Sequence, residues 1–134
     1  MAESEYIQDP AGEAPSIGYS HVVTSTASRL IITSGQVPLN ESGRVVGLEN
    51  PYLQAKQAFK NLNAGLAAAE ATASDVVKLT YYLTDMSNLA RVIAARDEWM
   101  DPCRPPASTV VEVAALYDPR VLVEIEALAV TDAG

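Results

Sequence analysis

From Tyr52 to Glu70 the apolar residues Ala55, Phe59, Leu62, Leu66 and Ala69 recur at alternating steps of four and three. That rhythm puts them on one stripe of a helix with a single buried side. Asn50 is placed to cap its start, and Pro51 falls at the first helical position, where the missing N–H costs nothing. From Val76 the rhythm changes to two. Val77, Leu79, Tyr81 and Leu83 alternate with Val76, Lys78, Thr80 and Tyr82, which predicts a strand. A second helix is predicted from about Ser87 to Met100, with Leu89, Val92, Arg96 and Trp99 on one side. Pro102, Pro105 and Pro106 stop it and hold an irregular connector.

Two further strands are predicted before the first helix, Tyr19–Val23 and Arg29–Ser34, joined by the small polar turn at 24–28. Two more follow the connector, about Ala107–Ala114 and Leu122–Val130. The order β-β-α-β-α-β-β implies an α+β fold, a sheet with both helices packed on one face. Residues 1–13 are polar and acidic and read as a flexible N-terminal arm, leaving 14–131 as a single domain.

The last strand shows two different sides. Val123, Ile125, Ala127 and Ala129 make a smooth apolar side suited to lie under helices. Opposite them stand Leu122, Glu124, Glu126, Leu128 and Val130, too apolar a set for a face left wholly in water. Partial cover by other subunits accounts for that mixture, so an oligomer is expected. Two carboxylates in such a strand are costly unless they are paired or used.

Composition narrows the functional classes. A chain of 134 residues, 49% hydrophobic and 19% charged, suits one globular domain with a proper core. Nine Lys and Arg against 17 Asp and Glu leave a net charge of −8, which disfavours a nucleic-acid partner. No apolar run approaches the roughly 18 residues of a membrane span, and the first residues lack a signal peptide's basic and apolar regions. A cytoplasmic protein with no membrane contact is expected. The one cysteine, Cys103, rules out an internal disulfide, and the one histidine, His21, leaves no zinc-ligand cluster. A Ser-His-acid triad would have to use His21, and no nucleophile elbow lies near it.

Five segments carry a resemblance: IGYSHVV at 17–23, IITSGQVP at 31–38, DVVKLTYYLTDM at 75–86, PPASTVVEV at 105–113 and VEIEALAV at 123–130. Together, in this order and spacing, the chain from Ile17 to Val130 resembles the Rid (reactive intermediate deaminase, or YjgF-like) family. The resemblance implies a single mixed sheet with two helices on one face. It also implies a homotrimer whose sheets form a central barrel, with small-molecule sites in the clefts between subunits. Enzymes of the family hydrolyse enamines or imines without cofactor or metal.

Carried over motif by motif, the resemblance makes Glu124 the catalytic residue that holds the attacking water. It makes Tyr19, Ser34 and Gly35 part of the substrate pocket. Ser108 falls where the family's deaminases keep an arginine that grips the substrate carboxylate, and an asparagine common in them aligns with Ile93. Glu70 replaces the glycine that ends the first helix, which implies a longer or differently capped end. The implied reaction is therefore hydrolysis (deamination) or tautomerisation of an imine or enamine other than the usual 2-imino acids. Ser108 and Thr109 would hold its polar atoms, and Arg104, four residues upstream, is a displaced candidate for an anionic end. Two other readings stand beside this one. The trimer can be a non-catalytic ligand-binding or regulatory protein, with Glu124 an interface carboxylate. Ribonuclease activity is the third, and the acidic charge opposes it.

Overall fold

The computed structural model describes residues 3–132. Six strands and two helices follow in the order β1 (Ser4–Ile7), β2 (Val22–Ser25), β3 (Arg29–Ile32), α1 (Pro51–Ala68), β4 (Val76–Leu83), α2 (Leu89–Trp99), β5 (Ala107–Glu112) and β6 (Val123–Thr131). The main sheet is mixed and runs β3-β6-β4-β5, with β6 antiparallel to both neighbours and β4 parallel to β5. A parallel pair needs a crossover, and α2 supplies it.

The expectation of one sheet needs correction at the start of the chain. Ser4–Ile7, within the segment read as an arm, pair antiparallel with β2 in a separate two-stranded sheet. The Tyr6 hydroxyl reaches the carbonyls of Ser74 and Val76, both at 3.4 Å, and ties this ribbon to the start of β4. A segment this polar shows no alternation that a sequence pattern could reveal; its strand exists because a partner edge is present.

One face of the main sheet is closed by both helices. Val123, Ile125, Ala127 and Ala129 of β6 join Leu79, Tyr81 and Leu83 of β4 in a core with Phe59, Leu62 and Leu66 of α1 and Val92 of α2. The stripe read from the sequence is thus the buried side of α1. Asn50 caps that helix by accepting from the Leu53 N–H at 3.0 Å. At its far end Glu70 takes a positive φ of 61°, and its N–H bonds Ala67 O while that of Ala71 bonds Leu66 O. This is a Schellman cap with a glutamate in the left-handed position where glycine is usual. The helix is therefore not lengthened, and the ordinary cap is kept at a cost of about 1–2 kcal/mol in backbone strain.

Polar residues of α1 pin the loops that lead to the open face. Buried Gln54 donates to Arg120 O at 2.9 Å and accepts from Leu122 N at 2.8 Å, which holds the entry to β6. Asn61 donates to the carbonyls of Val37 and Leu39, both at 2.9 Å, and fixes the loop after β3.

Candidate functional site

The second face of the sheet is not covered by the chain's own helices. Leu30 and Ile32 of β3 are 61% and 69% exposed, beside Leu128 and Val130 in the β3–β6 register. Glu124 and Glu126 stand on this same face, opposite Tyr82 and Thr80 of β4. Their surroundings differ. The Tyr82 hydroxyl donates to Glu126 Oε1 at 2.8 Å, and that bond to a carboxylate raises the phenol's pKa. Glu124 receives no hydrogen bond from any described residue.

What Glu124 has instead is a close glycine. After Thr33 pairs with Ala127, the ladder resumes only where Gln36 N and O bond Ile125, at 2.7 and 3.0 Å. Three steps on one strand thus oppose two on the other, so Ser34-Gly35 form a bulge against β6. Here Gly35 abuts the Glu124 side chain; a Cβ at position 35 would overlap the carboxylate. Glycine is needed at this point for approach. Ser34 lies on the exposed part of the bulge.

Of the other expected pocket residues, Tyr19 and Ser108 lie on the helix side. Ser108 pairs with buried Leu79, and its parity turns it toward α2. It lines a cavity of about 220 Å³ together with Tyr19, Tyr81, Ile93 and Arg96. Tyr19 is set there by its neighbour: Ser20 bonds Pro106 O through its N–H at 3.1 Å and Pro105 O through its hydroxyl at 2.5 Å. Thr109 borders the cavity, but its hydroxyl is occupied, accepting from Lys78 Nζ at 2.7 Å.

Arg104 does not join this group. Its guanidinium lies over the Tyr6 ring at 4.9 Å and Nε donates to Ser74 O at 3.3 Å, facing a separate depression lined by Glu3, Glu5 and Asp75. That contact depends on β1, which draws the guanidinium away from Ser108 despite their closeness in sequence. His21 is held by Ala14 O at 2.6 Å, and Cys103 is an exposed free thiol. Trp99 stacks on Phe59 with centroids 4.7 Å apart and serves packing. Among the described residues no group of three or more His, Cys, Asp or Glu is arranged to hold a metal ion, and no helix is long and apolar enough to cross a membrane.

The residue that the pocket reading missed is Arg96. Its side chain is only 8% exposed and lines the Ser108 cavity, bonding Asp97 Oδ1 through Nε at 3.1 Å and Nη2 at 2.8 Å. The signal was an arginine in register with Leu89 and Val92 on an apolar helix side. Nearby, the Tyr81 and Ser108 hydroxyls are buried and make no hydrogen bond of good geometry among the described residues. Burial pushes the Tyr81 phenol well above its ordinary pKa, although Arg96 and Ser108 pull the other way.

A helix-backed mixed sheet with a bulged glycine against a strand carboxylate defines a class before any relative is considered: a small α+β protein with polar residues gathered on both sheet faces. The family described as Endoribonuclease L-PSP matches residues 10–131, and the chain belongs to it, the YjgF/RutC/Rid family. A RutC family protein of Synechocystis sp. is 37% identical over 125 residues, spanning 92% of this chain and 94% of its own. The 2-iminobutanoate/2-iminopropanoate deaminase of Escherichia coli K12 is 38% identical over 104 residues, 75% of this chain and 79% of its own. The crystal structure of a Rid family protein of unknown function, YyfB from Yersinia pestis, superposes with a TM-score of 0.84 at 36% identity. It covers 95% of this chain and 98% of that one.

Proposed function

We propose that this protein is a homotrimer that hydrolyses an imine or enamine metabolite in clefts completed between subunits, with Glu124 holding and deprotonating the attacking water. The observation that carries the reading is the Glu124 carboxylate, without a hydrogen-bond donor among the described residues and set against Gly35 on the open face, while Glu126 beside it is satisfied by Tyr82. A second observation supports completion by another copy. Glu124 with Ser34-Gly35, and Tyr19 with Ser108, lie on opposite faces of the sheet in one chain. Exposed Leu30 and Ile32 give a second copy an apolar surface to cover. The relatives named as imine deaminases favour the same chemistry.

The step balances without a cofactor. Water oxygen bonds to the iminium carbon as Glu124 takes one of its protons and the C=N electron pair moves to nitrogen. The carbinolamine then breaks its C–N bond, ammonia departs with the proton, and a carbonyl product remains. The environment suits the role, because no described residue already donates to the Glu124 carboxylate, whereas Glu126 is occupied by the Tyr82 hydroxyl.

Turnover of imines generated in solution tests this directly. Glu124→Gln is expected to lower kcat by about 100-fold or more with an unchanged melting temperature, whereas Glu126→Gln keeps most of the activity. Full activity in Glu124→Gln would overturn the assignment. A ligand-binding or regulatory trimer is the alternative, and it predicts no turnover of any imine by the wild type while a small ligand still binds. Cleavage of RNA, suggested by the family's description, is opposed by the net charge of −8.

A further inference from the structure

The helix-side cavity holds more hydrogen-bonding capacity than its own residues use. Arg96 is charged and more than nine-tenths buried. Yet the anion it meets is Asp97, its neighbour in sequence, whose side chain is 57% exposed. Asp97 engages Nε and Nη2 through a single oxygen, and Nη1 makes no bond with a described residue. A guanidinium taken out of water with donors to spare is costly unless something else completes its shell. On the facing wall the Tyr81 and Ser108 hydroxyls are buried and lie near each other and near Arg96, but none of these contacts among the described residues has good hydrogen-bond geometry. Ile17, Leu89, Val92, Ile93 and Val110 make the remainder of the wall apolar.

The backbone leaves room for the guanidinium there. Gly18 has a φ of +75°, and a Cβ on it would overlap the Arg96 side chain. Two independent demands, the left-handed backbone and the close approach, thus fall on one glycine. Strand β5 makes room as well, because at position 108 it presents only a serine.

We propose that Arg96 anchors the anionic end of a small ligand, a carboxylate on a short hydrocarbon chain, with the Tyr81 and Ser108 hydroxyls as accompanying donors. A planar guanidinium matches a carboxylate in a paired geometry, and the apolar wall accepts the chain. Asp97 acts as a placeholder that the ligand displaces toward solvent. The inference rests on the cleft reading above and adds what the ligand carries. It also replaces the expectation that a serine at position 108 excludes carboxylated imines, since the positive charge enters from α2 instead of β5.

Calorimetric titration of the full chain with butanoate and with butanamide, its neutral isostere, is the test. The wild type is expected to prefer butanoate by about tenfold or more, as a charge-assisted pair implies. Arg96→Met should abolish that preference, Arg96→Lys should keep part of it, and Asp97→Asn should tighten butanoate severalfold by removing the competitor. If Arg96→Met fails to fold by circular dichroism, Tyr81→Phe reads the same cavity, with butanoate weakened several-fold and butanamide unchanged. Equal affinities in the wild type, no detectable butanoate binding, or a preference surviving in folded Arg96→Met would overturn the proposal. Imine turnover without butanoate preference would sink this inference and leave the role of Glu124 standing. Butanoate preference without turnover of any imine would do the reverse.

Discussion

The two faces of the sheet follow opposite rules. On the closed face every side chain of β6 from Val123 to Ala129 is apolar and buried, and the core is continuous with both helices. On the open face the same strand alternates in Glu124, Glu126, Leu128 and Val130, all only partly covered. The closed face provides stability within one chain, while the open face holds groups that the single chain leaves unfinished. An ordinary surface would pair its carboxylates or leave them in water, and would not set a glycine bulge against one of them.

Substitutions can break this contrast. The largest effect is expected from Ile125→Ala on the closed face, where the side chain is fully buried; denaturant unfolding should show a loss of about 2–5 kcal/mol. Ile32→Ser on the open face should leave chain stability within about 0.5 kcal/mol. Sedimentation should then show the proposed trimer dissociating. Equal losses of stability at both positions would dissolve the distinction.

Next in size comes the clamp between the faces. Gln54→Leu leaves Leu122 N and Arg120 O without their side-chain partners, and unfolding should register a loss of about 2–3 kcal/mol. Because this clamp sets the entry to β6, activity should fall along with stability, unlike in Glu124→Gln. Glu70→Gly tests a position outside both faces. It relieves the left-handed glutamate at the end of α1 and is expected to raise stability by roughly 1 kcal/mol in the same assay.

The smallest effect concerns pH. Hydrogen bonds from Arg120 hold the Asp118 carboxyl at about 2, below its ordinary value. A depressed folded-state pKa contributes stability that is present above the unfolded value near 4 and is lost as pH falls from there toward 2. Asp118→Asn should flatten that part of an acid-unfolding curve and leave the neutral range alone.

Much of this architecture was legible in the chain. Both helices followed from residues such as Phe59, Leu66 and Val92, whose spacing matches the period of a helix. Strands β4 and β6 followed from alternation, including which side of β6 faces the helices. Strand β2 was expected early, at Tyr19–Val23 instead of Val22–Ser25, and β1 was not legible, since Ser4, Glu5 and Tyr6 form a strand only through partners some twenty residues away. Where Arg104 rests was not legible for the same reason: its guanidinium lies over Tyr6, 98 residues upstream. Arg96 was visible as a member of an apolar helix side, but a period cannot say that its neighbours across space are the hydroxyls of a buried serine and tyrosine. Ser34-Gly35 and Glu124 were paired through resemblance; the bulge that brings them into contact is a matter of register, which one strand's sequence does not carry.

The strand order has a consequence for how the protein is made. In the main sheet β6 lies between β3 and β4, pairing Arg29 with Thr131 across about a hundred residues of chain. During synthesis β3 and β4 therefore emerge with the edges that will receive β6 still vacant, and Leu79 and Leu83 lack the strand that completes their core. Such high contact order slows folding and prolongs the exposure of sticky edges. The nascent chain is thus most prone to aggregate just before its last strand arrives.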